Sequence, residues 1–115
     1  DSFDNSYWQF MQIDGQRMAK DDLAPVARFK VNELTGFTGC NRFVAAYKRD
    51  GLWLTIGNFK MGNQPCDSVL PQQQLVYKAL SQVRSIRIIE SNDYLAMLDS
   101  NNKLLAELKP LKVKD

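Results

Sequence analysis

The sequence has no histidine. That excludes the Ser-His and Cys-His pairs on which most nucleophilic catalysis rests. Cysteine is scarce as well. Cys40 and Cys66 are the only two, and they do not form a C-x-x-C pair. A dithiol redox centre is therefore not expected, and a zinc site would have to be built from carboxylates. No apolar run approaches the roughly 20 residues of a membrane-spanning helix. The longest, Leu52–Ile56 and Leu104–Leu108, are strand-sized. Charge of one sign is also lacking. The net charge is +2, and the one basic cluster is the tail Lys109-Pro-Leu-Lys-Val-Lys114, read as a solvated terminus. A nucleic-acid partner working through a broad basic field is not expected. No cofactor and no metal is called for.

What is present is one domain's worth of chain. The 115 residues are 44% hydrophobic, enough for a single core. Residues 1–6 are polar and read as an N-terminal linker. Residues 7–110 form the domain and 111–115 a flexible tail. Alternating apolar residues predict strands over most of the length. Tyr7–Ile13 is the first, with Trp8, Phe10 and Gln12 on one face, followed by an Asp14-Gly15 turn. Val26–Asn32 places Ala27, Phe29 and Val31 together. Phe43–Tyr47 and Leu52–Ile56 make a hairpin around Lys48-Arg49-Asp50-Gly51, with Leu52, Leu54 and Ile56 on one face. A short further strand falls around Phe59 and Met61.

The period then changes. Val76, Ala79, Leu80 and Val83 form one helical stripe, which predicts a helix over about 70–83 with Ser68 as its N-cap and Pro71 in the first turn. The last third reads as a meander, with strands at Ile86–Glu90, Tyr94–Leu98 and Lys103–Leu108, stopped by Pro110. The fold class is α+β and mainly antiparallel. The expected arrangement is a small, curved, partly closed barrel-like sheet with one helix packed on it.

The unusual segment is Gly36-Phe-Thr-Gly-Cys-Asn-Arg-Phe43. Two glycines three apart beside Asn indicate sharp backbone geometry at a corner between strands. The same residues offer Asn41 and Arg42 as donors for a carboxylate, phosphate or carbonyl. The spacing lacks the Gly-Lys-Ser/Thr ending of a phosphate-cradling loop. The carboxylates are scattered, and Asp50, Asp93 and Asp99 fall in turns, where aspartate is common. The two cysteines permit either one bridge, closing about 25 residues, or two buried thiols.

Trp8 with Ile13-x-Gly15, the Gly36–Phe43 segment, Leu54-x-Ile-Gly57, a second cysteine, the helix and the closing meander together resemble the META domain of HslJ-like bacterial heat-shock and envelope lipoproteins. The likeness runs from about Tyr7 to Leu108. The family often has a Thr-Arg-Met-Ala-Cys-like run before its second cysteine. Here it is Gly62-Asn-Gln-Pro-Cys66, so no role of that Thr-Arg pair passes to this chain.

The resemblance implies an exported domain of the bacterial periplasm or outer membrane, lipid-anchored through a cysteine upstream of this sequence. It also implies a Cys40–Cys66 disulfide, since such bridges persist in oxidising compartments. It supplies no catalytic residues. The expected function is a non-enzymatic, stress-related structural or protein-binding module. Its candidate partner surface is Gly36, Thr38, Gly39, Asn41 and Arg42, and its partner an unidentified envelope protein. The alternative is a carrier of a small apolar ligand or lipid in a cavity of the barrel.

Overall fold

Inward-facing apolar residues on successive strands decide how this chain curls. The computed structural model describes residues 3–112. Its strands are β1 (Ser6–Ile13), β2 (Gln16–Arg17), β3 (Val26–Phe29), β4 (Glu33–Phe37), β5 (Arg42–Asp50), β6 (Trp53–Met61), β7 (Ser85–Ile89), β8 (Tyr94–Leu98) and β9 (Leu104–Leu111), with one helix α1 (Leu70–Gln82). All pairings are antiparallel, in the order β2-β1-β3-β4-β5-β6-β7-β8-β9, and β9 pairs back onto β1. β1 and β3–β9 thus form a ring, with β2 a spur on β1.

The ring is not a complete barrel. β6 and β7 share the single register pair Trp53–Ser85, flanked by bonds from Leu54 N–H to the Arg84 carbonyl (2.9 Å) and from Ile86 N–H to the Leu52 carbonyl (2.8 Å). Helix α1 lies between these two strands in the chain and packs against β6, β1 and β9. Its stripe of Val76, Ala79 and Leu80, with Val83 just beyond, is buried. Pro71 stands in the first turn as expected. Ser68 is not the N-cap. Asp67–Val69 winds into a 3-10 turn, Val69 occupies the cap position, and no side chain bonds there. Arg84 serves the other end, donating to the Ser81 (3.1 Å) and Val83 (2.7 Å) carbonyls.

Bulges explain where simple alternation fails. Between the pairs Phe10–Leu108 and Gln12–Glu107, β1 has one residue more than β9. Met11 therefore resets the parity, and Ile13 rather than Gln12 joins Trp8 and Phe10 inside. Between Ala45–Phe59 and Tyr47–Ile56 the extra residue is in β6. The two strands expected there are consequently one, with Ile56 and Phe59 both packed on the core.

Two apolar residues leave the faces assigned to them, and one strand was not expected. β3 ends at Phe29, and Val31 sits in a turn, 70% exposed. Leu52 forms the β5–β6 turn with Gly51, because Asp50 already pairs with Trp53, and is 59% exposed. Glu33–Phe37 is a full strand where the sequence pattern indicated none.

The two ends also differ from expectation. Phe3 lies in the core and stacks on Phe29 (4.4 Å between ring centroids), so this part of the expected linker belongs to the domain. Pro110 does not stop β9. It pairs with Trp8, beyond the last β8 partner Leu108, where the strand has lost one neighbour and proline is tolerated. Lys109–Leu111 of the basic tail is thus strand, and residues 113–115 lie outside the described residues. The interior, where a carrier would need an enclosed apolar volume of roughly 300 Å³, holds the fully buried side chains of Phe10, Phe29, Leu34, Phe43, Leu95 and Leu108.

Candidate functional site

The Gly36–Phe43 segment is the β4–β5 hairpin. Gly36 lies inside β4, opposite Ala27 of β3 and Phe43 of β5. Its missing side chain leaves the space that the Phe43 ring fills. Thr38–Asn41 is the turn, closed by Thr38 N–H donating to the Asn41 carbonyl (3.0 Å). Gly39 takes φ +100°, and a Cβ there would meet Gln72 Nε2 at 2.5 Å and the Leu23 carbonyl at 2.7 Å. This is a position that only glycine serves without strain.

The polar groups of the turn face inward. Thr38 is 0% and Asn41 4% exposed. Thr38 Oγ1 accepts from the Cys40 (3.2 Å) and Asn41 (3.0 Å) amides and donates to Gln73 Oε1 (2.8 Å). Asn41 Nδ2 donates to Gln73 Oε1 (3.1 Å) and to the Gln64 carbonyl (3.2 Å), and Asn41 Oδ1 accepts from Gln64 N–H (2.8 Å). Next to them Gln72 Nε2 donates to the Thr38 (2.8 Å) and Leu23 (2.9 Å) carbonyls, while its Oε1 accepts from Ala19 N–H (2.8 Å). A disulfide joins Cys40 to Cys66, with 5.8 Å between the Cα atoms. The hairpin, the segment before the 3-10 turn Asp67–Val69 and the first turns of α1 are thus locked into one joint.

Of the five residues expected to form a partner surface, Thr38, Gly39 and Asn41 are buried in this joint and Gly36 is half-buried in β4. The expectation that Asn41 presents free donors is corrected, because Gln64 and Gln73 take them. Arg42 alone is exposed, on the outer face of β5. Sequence reading missed the motif's partners Gln64, Gln72 and Gln73. The run Gln72-Gln-Gln74 at the start of a short helix was the one available signal.

A second polar cluster ties down the N-terminal segment. Asp4 Oδ1 accepts from Tyr47 Oη (2.8 Å) and faces Arg49 Nε (3.5 Å), whose guanidinium lies 5.2 Å from the Phe3 ring centroid. The Lys30 carbonyl is also within reach of Tyr47 Oη. The bond from Tyr47 and the nearby Arg49 charge hold the Asp4 carboxyl below its ordinary value. Burial first, and then the Asp4 bond, push Tyr47 up from 10.0 to about 12. Burial likewise raises Tyr77.

These shifts fix two signs. A lowered carboxyl stabilises the fold above its unfolded pKa and loses that contribution as pH falls through the folded one. A raised phenol contributes fully below pH 10 and loses its contribution as pH rises from 10.0 toward about 12. In melts between these alkaline values, the wild type is expected to lose more stability with pH than Tyr47→Phe. Parallel curves would show that Tyr47 is not the responsible group, since Tyr77 titrates in both proteins.

The features together describe a class: a small, nearly closed antiparallel ring with one helix, in which a Gly-Cys-Asn-Arg hairpin is bridged to the pre-helix segment. The family model of the META domain matches residues 1–110, and the chain belongs to the META domain family. An NMR structure of a protein from Burkholderia xenovorans is similar in fold, with a TM-score of 0.70 at 16% identity, covering 96% of this chain and 85% of that one. No curated protein matches the chain.

Proposed function

We propose that this META domain is a non-enzymatic module of the bacterial cell envelope, exported and held there by a lipid anchor upstream, which supports the envelope under stress by holding a protein partner. The observation that carries this reading is the joint. A general acid or base must lie within hydrogen-bond reach of the proton it transfers. The signature residues Thr38 and Asn41 instead make buried bonds inside the domain, reinforced by the covalent Cys40–Cys66 link. Such a bridge persists in an oxidising compartment, which agrees with export.

The full-length protein, expressed with its native leader and trapped with an alkylating agent before lysis, is expected in the envelope fraction with neither cysteine labelled. Recovery in the cytosol with both thiols alkylated would overturn the proposal.

A further inference from the structure

The outer face carries a feature that the joint does not use. The register sets Leu111, Tyr7, Arg28, Thr35 and Val44 in one row across β9, β1, β3, β4 and β5, each opposite the next. Directly opposed residues of an antiparallel sheet share a face. Arg42 lies two residues before Val44 on the same strand and therefore on that face, and Lys112 follows the end of β9. These residues line an open groove of about 800 Å³ on the outside of the ring.

Among the described residues its charges are all of one sign: Arg28, Arg42 and Lys112 line it and no carboxylate does, in a chain whose whole net charge is +2. Among the described residues none of the three is ion-paired. Arg28 Nε is buried and has no hydrogen-bond partner. Arg28 lines the groove with its charge unpaired, and an anion bound there would offer its guanidinium a charge-assisted acceptor. Arg28 and Arg42 stand two strands apart and are offset by two residues along them, about 12 Å in all, so their side chains approach a bound group from two sides. The hydroxyls of Tyr7 and Thr35 lie in the row between and beside them. The remaining walls, Val44 and Leu111, are apolar.

We propose that this groove binds an organic phosphate bearing an apolar substituent. A phosphate accepts the bidentate fork of arginine, and its two charges match three cations better than the single charge of a carboxylate. The volume suits a small ligand, and Val44, Leu111 and the Tyr7 ring receive its apolar part. The site stands on groove geometry and does not depend on the compartment of the protein.

The test is an NMR titration of the labelled protein with decyl phosphate kept below its micelle concentration. Decanol and decyltrimethylammonium are the chain-matched controls. Saturable shifts at Arg28, Thr35, Arg42 and Lys112 are expected with the phosphate alone. Inorganic phosphate should move the same residues more weakly. Arg42→Ala, an exposed residue, should keep the wild-type melting curve and bind decyl phosphate at least about tenfold more weakly, the loss of one charge-assisted contact. Vesicles containing phosphatidic acid, whose headgroup is a phosphate monoester like the probe, are added as competitor and distinguish the sources. Displacement of decyl phosphate supports the site with a lipid headgroup as its ligand, and undiminished binding supports it with a soluble phosphate. Equal response to either control, shifts elsewhere on the surface, or no phosphate response would overturn the proposal.

Discussion

Gly36→Ala is expected to destabilise the domain by about 3 kcal/mol, at the upper end of ordinary overpacking costs. An alanine in place of glycine at an unstrained strand position usually stabilises slightly, by restricting the unfolded chain. Here the added Cβ would lie 2.3 Å from Phe43 Cζ, 2.7 Å from Phe43 Cε2 and 2.5 Å from the Val26 carbonyl oxygen. None of these can give way cheaply. Val26 O is backbone of the paired strand β3. The Phe43 ring is buried and packed edge-on against Phe59 and Tyr77, at 5.8 and 5.9 Å between centroids.

Urea unfolding checks the figure, and two further comparisons check its cause. Gly51→Ala faces open space at φ +60°. It should cost only the roughly 1 kcal/mol of a left-handed alanine. Gly36→Ala combined with Phe43→Leu should cost less than the sum of the two single changes, because the smaller side chain vacates the space that alanine invades. A Gly36→Ala protein as stable as wild type, or strict additivity with Phe43→Leu, would show that the ring does not depend on the missing side chain.

The same glycine shows where the sequence stopped being legible. Alternation identified β3, β5, β7, β8 and most of β9, and the 3.6-residue period located α1, because each of those signals is local. Gly36 interrupts the pattern of β4, and its filler is a ring seven positions later on another strand, so Glu33–Phe37 did not stand out as a strand. Bulges defeat alternation for a related reason. One extra residue at Met11 exchanges the faces of Gln12 and Ile13, and nothing in their side chains announces it.

The site was misread through polarity. Thr38 and Asn41 look like surface residues, and their burial is made acceptable by Gln73 and Gln64, 23 to 35 positions away. The basic groove was hidden most completely. Tyr7, Arg28, Arg42 and Lys112 are scattered along the chain, and only strand register brings them onto one face. The sequence reading instead assigned Lys112 to a solvated tail.

Opening the Cys40–Cys66 bridge is expected to cost about 3.5 kcal/mol, and to do so mainly through the unfolded state. The bridge spans 26 residues of sequence, and for a loop of that size the chain-entropy relation gives about 3.5 kcal/mol at 25 °C. The folded joint does not need the covalent bond for its geometry. The Thr38–Gln73, Asn41–Gln73 and Asn41–Gln64 bonds already hold the hairpin against α1 and the segment before it.

Cys40→Ser with Cys66→Ser should therefore keep the wild-type near-ultraviolet circular dichroism while its urea midpoint falls. Its m-value should rise, because the unfolded chain without the cross-link exposes more surface. For a domain of this size the loss corresponds to a fall in Tm of roughly 10–20 °C. It would consume a large part of the 5–15 kcal/mol typical of a whole domain. Wild type unfolded in a reducing buffer should coincide with the double variant, which separates loss of the bridge from any effect of serine. An unchanged m-value with a disturbed native spectrum would place the effect in the folded joint instead. An unchanged midpoint would mean that the polar network alone sets the stability of the hairpin, and that the bridge adds nothing the fold requires.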